Sequence, residues 1–360
     1  MRCLLIARNL PPLVGGIENM MATTVRATRN IEWVVIGPKG CTEHLPPHVT
    51  CYEAPSKTPL FLFSALLLVI KACRKSSFDW VIGSNGGMAP LVQIGAWLAK
   101  ARSFIFLHGK DIVIRNVFYQ IFFWSCVIRA NVVSVNSTNT RKLAVERGIH
   151  LDKIVLLHPC IQPRELPDKE LEWDDNRPAI LYAGRIVPRK GLKEWLEVSH
   201  GWLKQHNITL WIAGDAPSGQ SLGVDTQYLQ SILRLIDARQ LNEHVKFWGR
   251  LPDREMNQLM SKACVQLMPL VPTEDDIEGF GMVVIEAALL GTPTVAFEVG
   301  GVVDAVSKQE DLIAPPDYAK FNARLLHYAD DSAPQSNDLE SFASQFLPEP
   351  YAAQFLSVLK

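Results

Sequence analysis

The sequence predicts an α/β protein with two doubly wound domains, each built on a parallel sheet covered by helices. Three observations support this fold class: short apolar runs alternate with helical patterns, the runs are nearly continuous, and the whole scheme occurs twice along the chain. A continuous apolar run bounded by polar residues, Gly or Pro is typical of a parallel strand buried on both faces. The length of 360 residues suits two domains, because single cores rarely grow beyond about 250–300 residues.

The first half contains strand candidates separated by segments long enough for crossover helices. The predicted strands are Cys3–Ala7, Trp33–Gly37, Asp79–Gly83, Ser103–His108, Asn131–Val135 and Ile154–Leu157. Helical patterns occupy Ile17–Arg29 and Thr138–Arg147. We expect these elements to form a first Rossmann-like domain over residues 1–165.

The second half repeats the scheme and predicts a domain over residues 166–345. Its predicted strands are Ala179–Gly184, Ile208–Gly214, Val245–Gly249, Cys264–Pro269 and Thr294–Phe297. Its predicted helices are Leu192–Gln205, Asp225–Gln240, Asp253–Lys262 and Met282–Leu290. The segment 158–178, with four prolines and many acidic residues, is the expected boundary. We expect residues 346–360 to form a helix that returns to the first domain.

Charge and composition exclude several classes of protein. The formal net charge of −1 argues against a generic nucleic-acid binder. Residues 1–166 carry 19 Lys and Arg against 9 Asp and Glu, whereas the rest carry 17 against 28, so the two halves are expected to have different partners. Seven cysteines without a C-x-x-C pair argue against a disulfide framework or a zinc cluster. We find no export signal and no run of ~20 apolar residues, which predicts a cytoplasmic protein.

The strongest motif, EGFGMVVIE, runs from Glu278 to Glu286 and lies between a predicted strand and the helix that begins at Met282. Gly279 and Gly281 allow a ligand to approach the backbone closely. The unpaired amides of the first helical turn suit a phosphate or sugar hydroxyls. The alternative is an ordinary Gly-rich turn with two solvated carboxylates.

A basic turn, GRIVPRKG at residues 184–191, directly follows the strand candidate Ala179–Gly184. Arg185 suits bidentate recognition of a phosphate, and Lys190 supplies a point charge. A diphosphate bound to the acidic half needs such positive charge. The alternative is an ordinary basic turn on the surface.

Two weaker signals lie in the first half. Gly15 and Gly16 follow the first strand candidate and lead into a helix, so a ligand could approach the backbone there. His108 ends the strand candidate Ser103–His108, where ligands of open α/β sheets bind. A Gly-Gly pair occurs in many turns, however, and a lone histidine is more often structural.

Taken together, these motifs resemble the retaining glycosyltransferases of family four, whose GT-B fold has two Rossmann-like doubly wound domains facing a central cleft. The resemblance covers nearly the whole chain. It rests on the segments PPLVGGIE, FLHGKD, LYAGRIVPRKG, WIAGDAP, VKFWGRL, EGFGMVVIEAALLGTPTVA and GGVVDAV. Within the family, PRKG and the acidic residues before Glu278 are most similar to bacterial mannosyltransferases acting on phosphatidylinositol mannosides and related lipid-linked glycans.

The resemblance implies an enzyme that moves a hexose from a nucleotide sugar to a glycan with retained anomeric configuration. It implies catalytic positions at His108 and Glu278, near the hexose, and no metal or other cofactor. It implies that Arg185 and Lys190 bind the diphosphate and that Glu286 binds the ribose hydroxyls. The full set of implied donor-binding residues is Gly15, Gly16, Arg185, Lys190, Gly249, Gly279, Phe280, Gly281, Met282, Val283 and Glu286.

Donor, acceptor and activity leave alternatives open at this stage. GDP-mannose is the first expectation for the donor, and a UDP-linked sugar is the other. The alternatives to a transferase are a sugar-nucleotide epimerase of the same architecture and a non-catalytic GT-B-like partner subunit. A retaining glycosidase needs two carboxyls about 5 Å apart, whereas the resemblance places Glu286 at the ribose.

The basic first half also holds the most apolar segments, Pro59–Ile70 and Val117–Ile128, which have Lys or Arg at their ends. Apolar helices with basic flanks can lie in a membrane interface, although both could equally be core helices that cover the sheet. We expect mostly core helices, with an edge that meets an anionic membrane surface. The expected protein is therefore cytoplasmic and peripheral on the inner face of the membrane. It acts on a glycan or glycolipid acceptor and has no nucleic-acid partner.

Overall fold

The structure is a computed structural model that describes residues 1–166, 176–215, 222–273, 276–330 and 337–360. The chain forms two compact units. The first contains Met1–Gln162, the segment 276–280 and Phe346–Lys360, and the second contains Pro163–Thr273 and Gly281–Gln345. Residues 276–280 thus differ from the expected division of the chain, because they belong to the first unit. Residues 167–175 of the expected boundary lie outside the described residues.

A parallel sheet, seven strands wide in the described part, forms the centre of the first unit. Its strands are β1 (Arg2–Ile6), β2 (Glu32–Pro38), β3 (Thr50–Ala54), β4 (Trp80–Gly83), β5 (Arg102–Leu107), β6 (Val132–Val135) and β7 (Ile154–Leu156). They lie in the order β3-β2-β1-β4-β5-β6-β7. Leu5, for example, aligns with Val35 of β2 on one side and with Ile82 of β4 on the other.

Helices cover both faces of this sheet. They are α1 (Gly16–Ala27), α2 (Thr58–Lys75), α3 (Ala89–Ala99), α4 (Lys110–Val113), α5 (Val117–Tyr119), α6 (Ser125–Ile128) and α7 (Thr138–Glu146). A π-helical turn, Gln120–Trp124, joins α5 to α6, so residues 117–128 form one interrupted helical segment. The N-terminus of α7 is stabilised by a capping box, in which Ser137 and Thr140 exchange side-chain to backbone hydrogen bonds.

The second unit has a sheet of the same kind, with six strands among the residues that are described. Its strands are β8 (Ala179–Ala183), β9 (Thr209–Ala213), β10 (Val245–Gly249), β11 (Val265–Met268), β12 (Thr294–Phe297) and β13 (Leu312–Ile313). Their order is β10-β9-β8-β11-β12-β13. The helices are α8 (Leu192–Gln205), α9 (Leu222–Ala238), α10 (Asp253–Lys262), α11 (Met282–Ala288), α12 (Tyr318–Ala329) and α13 (Asn337–Ser344).

The last helix, α14 (Pro348–Leu359), packs on the first unit against α1. Its Phe355 is fully buried and stacks on Trp33, which lies in β2. The Tyr351 hydroxyl lies 3.0 Å from the Thr24 hydroxyl of α1. The C-terminal segment is therefore part of the hydrophobic core that lies on this face of the first sheet.

The predicted fold class is confirmed, since both sheets are parallel and have the strand order of doubly wound folds. The predicted strands match the observed ones to within a residue or two. The sequence misses β3 and β13. Each is an edge strand with one neighbour, β3 is half exposed and β13 has only two residues. Neither strand therefore produces the continuous apolar run that identifies a central strand.

Candidate functional site

Each sheet has a topological switch point, where the strand order reverses. In the first sheet it lies between β1 and β4, and in the second it lies between β8 and β11. Crossover connections leave neighbouring strands in opposite directions there, so a crevice opens beyond their carboxyl ends, where ligands bind. The predicted site residues of each unit can be located relative to this point.

His108 directly follows β5, next to β4 in the first sheet. Its Nε2 lies 2.8 Å from the carbonyl oxygen of Ser84, which directly follows β4. A carbonyl oxygen only accepts, so Nε2 carries the proton and donates, and in the neutral ring Nδ1 is left as an acceptor. The backbone amide of His108 donates to Asp111 Oδ2 at 3.1 Å, and burial raises the pKa of the Asp111 carboxyl. The imidazole is thus held in one orientation at the sheet edge.

The segment 276–280 packs against this histidine within the first unit. A Cβ on Gly279 would come within 3.0 Å of both the His108 carbonyl oxygen and Asn136 Nδ2, so only glycine fits there. The following residue, Phe280, is buried and packs on His158, with the ring centroids 5.2 Å apart. The structure therefore brings His108 and Glu278, which are 170 positions apart, to the same edge of the first sheet.

The Gly-Gly pair is placed at the start of α1, as Gly16 opens that helix and Gly15 is its N-cap residue. The carboxylate of Glu18 occupies the same helix end. It accepts a hydrogen bond of 2.7 Å from Asn9 Nδ2, and the Asn9 side-chain oxygen accepts one of 2.5 Å from Asn85. An acidic side chain in the first helical turn is favoured by the helix dipole. It therefore lies at the helix end where the resemblance implies the donor-binding residues Gly15 and Gly16.

The basic turn of the second unit follows β8 as predicted, but its two charges differ in exposure. Arg185 is exposed, whereas Lys190 is only 8% exposed and lies in the 3₁₀ turn Pro188–Lys190. The next residue, Gly191, has a φ of +67° and begins the approach to α8. A Cβ there would come within 3.0 Å of the Pro269 carbonyl oxygen, which follows β11. The turn is therefore packed directly onto the switch point of the second sheet.

The helix expected after the EGFG motif is α11, with Gly281 as its N-cap residue and Met282 and Val283 in its first turn. Glu286, on this helix, forms an ion pair with Arg164, and the two side chains are 25% and 15% exposed. Burial raises the pKa of Glu286, while the positive charge of Arg164 acts in the opposite direction. In this structure the carboxylate expected at the ribose therefore already has a cationic partner.

Gly249, expected near the base, ends β10. Its carbonyl oxygen accepts a hydrogen bond of 2.8 Å from the amide of Gly214, which follows β9. The amide of Gly184, after β8, in turn donates to the Ala213 carbonyl at 3.0 Å. Each of these three neighbouring strands thus has a glycine at its end or directly after it, so these three positions carry no side chain.

Two further polar residues at these positions escape sequence reasoning. Asn136 directly follows β6 and contacts Gly279, a position at the carboxyl end of a strand that could have identified it. Arg164 lies in the expected boundary segment. It pairs with Glu286, which is distant in the sequence, so no local pattern identifies this ion pair. Within the described ranges, no group of three or more His, Cys, Asp or Glu side chains is arranged to hold a metal ion.

Comparison with known proteins decides the family. The model described as glycosyl transferases group 1 matches residues 163–346, just over half of the chain. The chain belongs to the group 1 glycosyltransferases. The predicted resemblance is thereby confirmed at the level of the family. The matched segment contains the basic turn, the EGFG motif and Glu286.

Two mannosyltransferases are among the relatives of this group 1 chain. A GDP-mannose-dependent monoacylated α-(1-6)-phosphatidylinositol monomannoside mannosyltransferase of Corynebacterium glutamicum is 30% identical over 166 residues, which are 45% of this chain and 41% of that protein. A GDP-mannose-dependent α-(1-6)-phosphatidylinositol monomannoside mannosyltransferase of Mycolicibacterium smegmatis is 25% identical over 333 residues, covering 84% and 82%. The chain thus spans well under two thirds of the length of the Corynebacterium relative.

Solved structures share the fold at lower sequence identity. The crystal structure of HepE from Anabaena in complex with UDP-glucose is similar over 100% of this chain and 99% of that one, with a TM-score of 0.76 and 19% identity. This likeness extends the family assignment to the GT-B architecture of two Rossmann-like domains.

Proposed function

We propose that this chain is a retaining glycosyltransferase that transfers a hexose from a nucleotide sugar to a lipid-linked or cell-surface glycan. GDP-mannose is the proposed donor. It is supported by the two GDP-mannose-dependent relatives, while the UDP-glucose complex of HepE keeps a UDP-linked sugar as the alternative.

The observation that carries the proposal is the contact of Gly279 with His108. It sets Glu278, which precedes Gly279, beside a histidine whose orientation is held by Ser84. In our proposal His108 Nδ1 accepts a hydrogen bond from a hexose hydroxyl, because Nε2 is already committed as a donor. Glu278 binds a second hydroxyl of the same sugar.

The second unit holds the nucleotide in this proposal. Arg185 and Lys190 bind the diphosphate, Glu286 binds the ribose hydroxyls and Gly249 lies beside the base. A flat ring has room against the backbone at Gly184, where an added Cβ would meet nothing within 4 Å, and at Gly249, where it would meet only Phe247 at 4.0 Å. The amides of Gly281, Met282 and Val283 complete the phosphate contacts, Gly15 and Gly16 approach the β-phosphate, and Phe280 borders the sugar.

The proposed reaction is a front-face displacement. The bond between the anomeric carbon and the donor phosphate oxygen breaks, and the acceptor hydroxyl attacks from the same face. The departing phosphate takes the proton of that hydroxyl, so no side chain has to act as base. The positive charge of Arg185 and Lys190 stabilises the negative charge that builds up on the leaving diphosphate.

A thermal-shift panel of GDP, UDP, ADP and their hexose conjugates tests the donor assignment, because a ligand of the native state raises the melting temperature. We expect the largest rise with GDP and GDP-mannose. Transfer of labelled mannose to a glycolipid extract then tests the activity. A new nucleotide sugar formed without acceptor would favour the epimerase, and nucleotide binding without either product would favour the non-catalytic subunit.

In this proposal the first unit docks on an anionic bilayer, which carries the lipid-linked acceptor. On α2, Phe61, Ala65 and Val69 are buried in the core, whereas Leu60, Phe63 and Leu67 point outward. The neighbouring helices add further exposed apolar side chains, and α3 packs against both α2 and α6. These exposed side chains are Ile94, Trp97, Val117, Phe118, Ile121 and Phe122.

This apolar face, formed by the exposed side chains of α2, α3 and residues 117–128, has basic residues at its border. Lys71, Arg74 and Lys75 lie at the C-terminal end of α2, and Arg115 and Arg129 flank the segment 117–128. An apolar face with a cationic border suits an anionic lipid surface, where each basic residue contributes about 1 kcal/mol. In the described residues, no helix is both long and apolar enough to cross a bilayer.

A further inference from the structure

Two thiols of the first unit lie in contact, and neither has a role in the site described above. Cys41 opens the 3₁₀ turn Cys41–His44 that follows β2, and Cys51 lies in the edge strand β3. Their Sγ atoms are 3.3 Å apart. All seven cysteines lie in the described part of the chain, and none of them is in a disulfide.

The surroundings hold the two sulfurs in this arrangement. The amide and hydroxyl of Thr42 both donate to Glu53 Oε1, at 3.2 and 2.7 Å, which fastens the turn to β3. On its other side Cys41 is fully buried, and its Sγ lies so close to Gly37 that a Cβ on that glycine would come within 3.0 Å. The thiols therefore face each other in the folded chain without any rearrangement.

The two thiols differ in access and in acidity. Cys51 is partly exposed on the edge strand, whereas Cys41 is fully buried. The hydrogen bond between them lowers the pKa of Cys51, with help from the Thr42 hydroxyl, and the same bond raises the pKa of Cys41. The thiolate is the reactive form of cysteine, so Cys51 is the residue that an external reagent meets first.

We propose that Cys41 and Cys51 form a redox modification site that reacts with small-molecule disulfides of the glutathione class. The Cys51 thiolate attacks one sulfur of the disulfide and releases one thiol, which leaves a mixed disulfide on Cys51. Cys41 then loses its proton and attacks the Cys51 sulfur, which releases the second thiol. Both protein thiols are oxidised by two electrons in total, and one external disulfide becomes two thiols.

This bond would draw the sulfurs from 3.3 Å to roughly 2 Å and would join the edge strand to the turn after β2. The loop that leads to α1 packs beside this turn. Its Leu10 lies next to Gly37, and Gly37 lies next to Cys41. The site does not depend on the proposed transferase activity, so each can be tested without the other.

The test incubates the full chain, first reduced and freed of reductant, with oxidised glutathione under native conditions. Cleavage after glutamate separates Cys41, in residues 33–43, from Cys51, in residues 44–53, so a non-reducing peptide map reports the bond directly. We expect the linked pair of peptides, the loss of two of the seven thiols, and the return of both with dithiothreitol.

Variants distinguish the two cysteines and supply the control. Cys41→Ser should stop at a stable mixed disulfide on Cys51, and Cys51→Ser should form no linked peptides. Cys73→Ser, which removes another partly buried thiol, should form the linked peptides as the unmodified chain does. Retention of all seven thiols by the unmodified chain, or glutathione that stays on Cys51 unresolved, would overturn the proposal.

Discussion

Gly279 lies directly against the backbone of His108, so close that a single added carbon would come within 3.0 Å of the His108 carbonyl oxygen. The contact joins the start of the EGFG motif to the end of β5. Glu278 directly precedes Gly279, so its backbone lies close to that of His108.

Gly279→Ala should therefore impair transfer much more than stability. The overlap costs about 1–3 kcal/mol of unfolding free energy, while a displacement of ~1 Å at a reacting centre can lower turnover roughly a hundredfold. Urea unfolding and steady-state kinetics measure the two effects. Gly201→Ala is the control, because nothing lies within 4 Å of that position in the middle of α8 and the change should add up to ~1 kcal/mol. Wild-type turnover in Gly279→Ala would contradict the proposed pairing.

The ion pair of Arg164 with Glu286 predicts a pH-dependent donor affinity. Burial raises the pKa of Glu286, and Arg164 counters this rise. Asp253, at the start of α10, also raises the pKa of Glu286. In Arg164→Met the pKa of Glu286 therefore rises further, so more of the carboxyl is protonated at a given pH and the ribose loses an anionic acceptor.

We expect Arg164→Met to raise the KM for the donor by roughly tenfold near neutral pH, as for one lost charged hydrogen bond. The defect should shrink as the pH rises and Glu286 ionises, while kcat changes little. Arg164→Lys keeps the charge and should restore much of the affinity. A KM defect that is independent of pH would contradict the assignment of this effect to the ionisation of Glu286.

Lys190→Ala tests the basic turn. A charged hydrogen bond to the diphosphate is worth about 1.5–3 kcal/mol, so turnover should fall roughly tenfold to a hundredfold. Lys193→Ala is the matched control, since this lysine pairs with Glu197 at 3.3 Å on the exposed side of α8. Unaltered turnover in Lys190→Ala would remove this lysine from the diphosphate site.

The apolar face of the first unit predicts binding to anionic vesicles. Phe118 and Phe122, 60% and 55% exposed, should insert into the interface, and burying a phenylalanine is worth about 1.5–3 kcal/mol. Phe118→Ser combined with Phe122→Ser should reduce cosedimentation at least about tenfold. Val198→Ser, which removes an exposed apolar side chain from α8, should not. If the wild-type chain sediments with neutral vesicles as well as with anionic ones, at any salt concentration, the basic border does not contribute to membrane binding.

Much of the architecture could be predicted from local pattern. Continuous apolar runs locate the central strands, and the residues that follow them locate the sheet edges, because a parallel strand is buried on both faces and ends at the ligand side. His108 and the turn that carries Arg185 are predicted on this basis, and both lie just beyond a strand, whereas Gly249 is implied by the resemblance and ends β10. The edge strands β3 and β13 escape the pattern, because β3 is only partly buried and β13 has only two residues.

The sequence by itself determined that this chain builds two doubly wound sheets with glycines and charges at their carboxyl ends, because strand burial and turn chemistry are properties of short segments. Only the tertiary structure decided that Gly279 meets His108, that Arg164 neutralises Glu286 and that Cys41 faces Cys51. These partners are separated along the chain by loops and whole elements. These contacts depend on how each unit packs, and the hydrophobic periodicity of a short segment does not predict them.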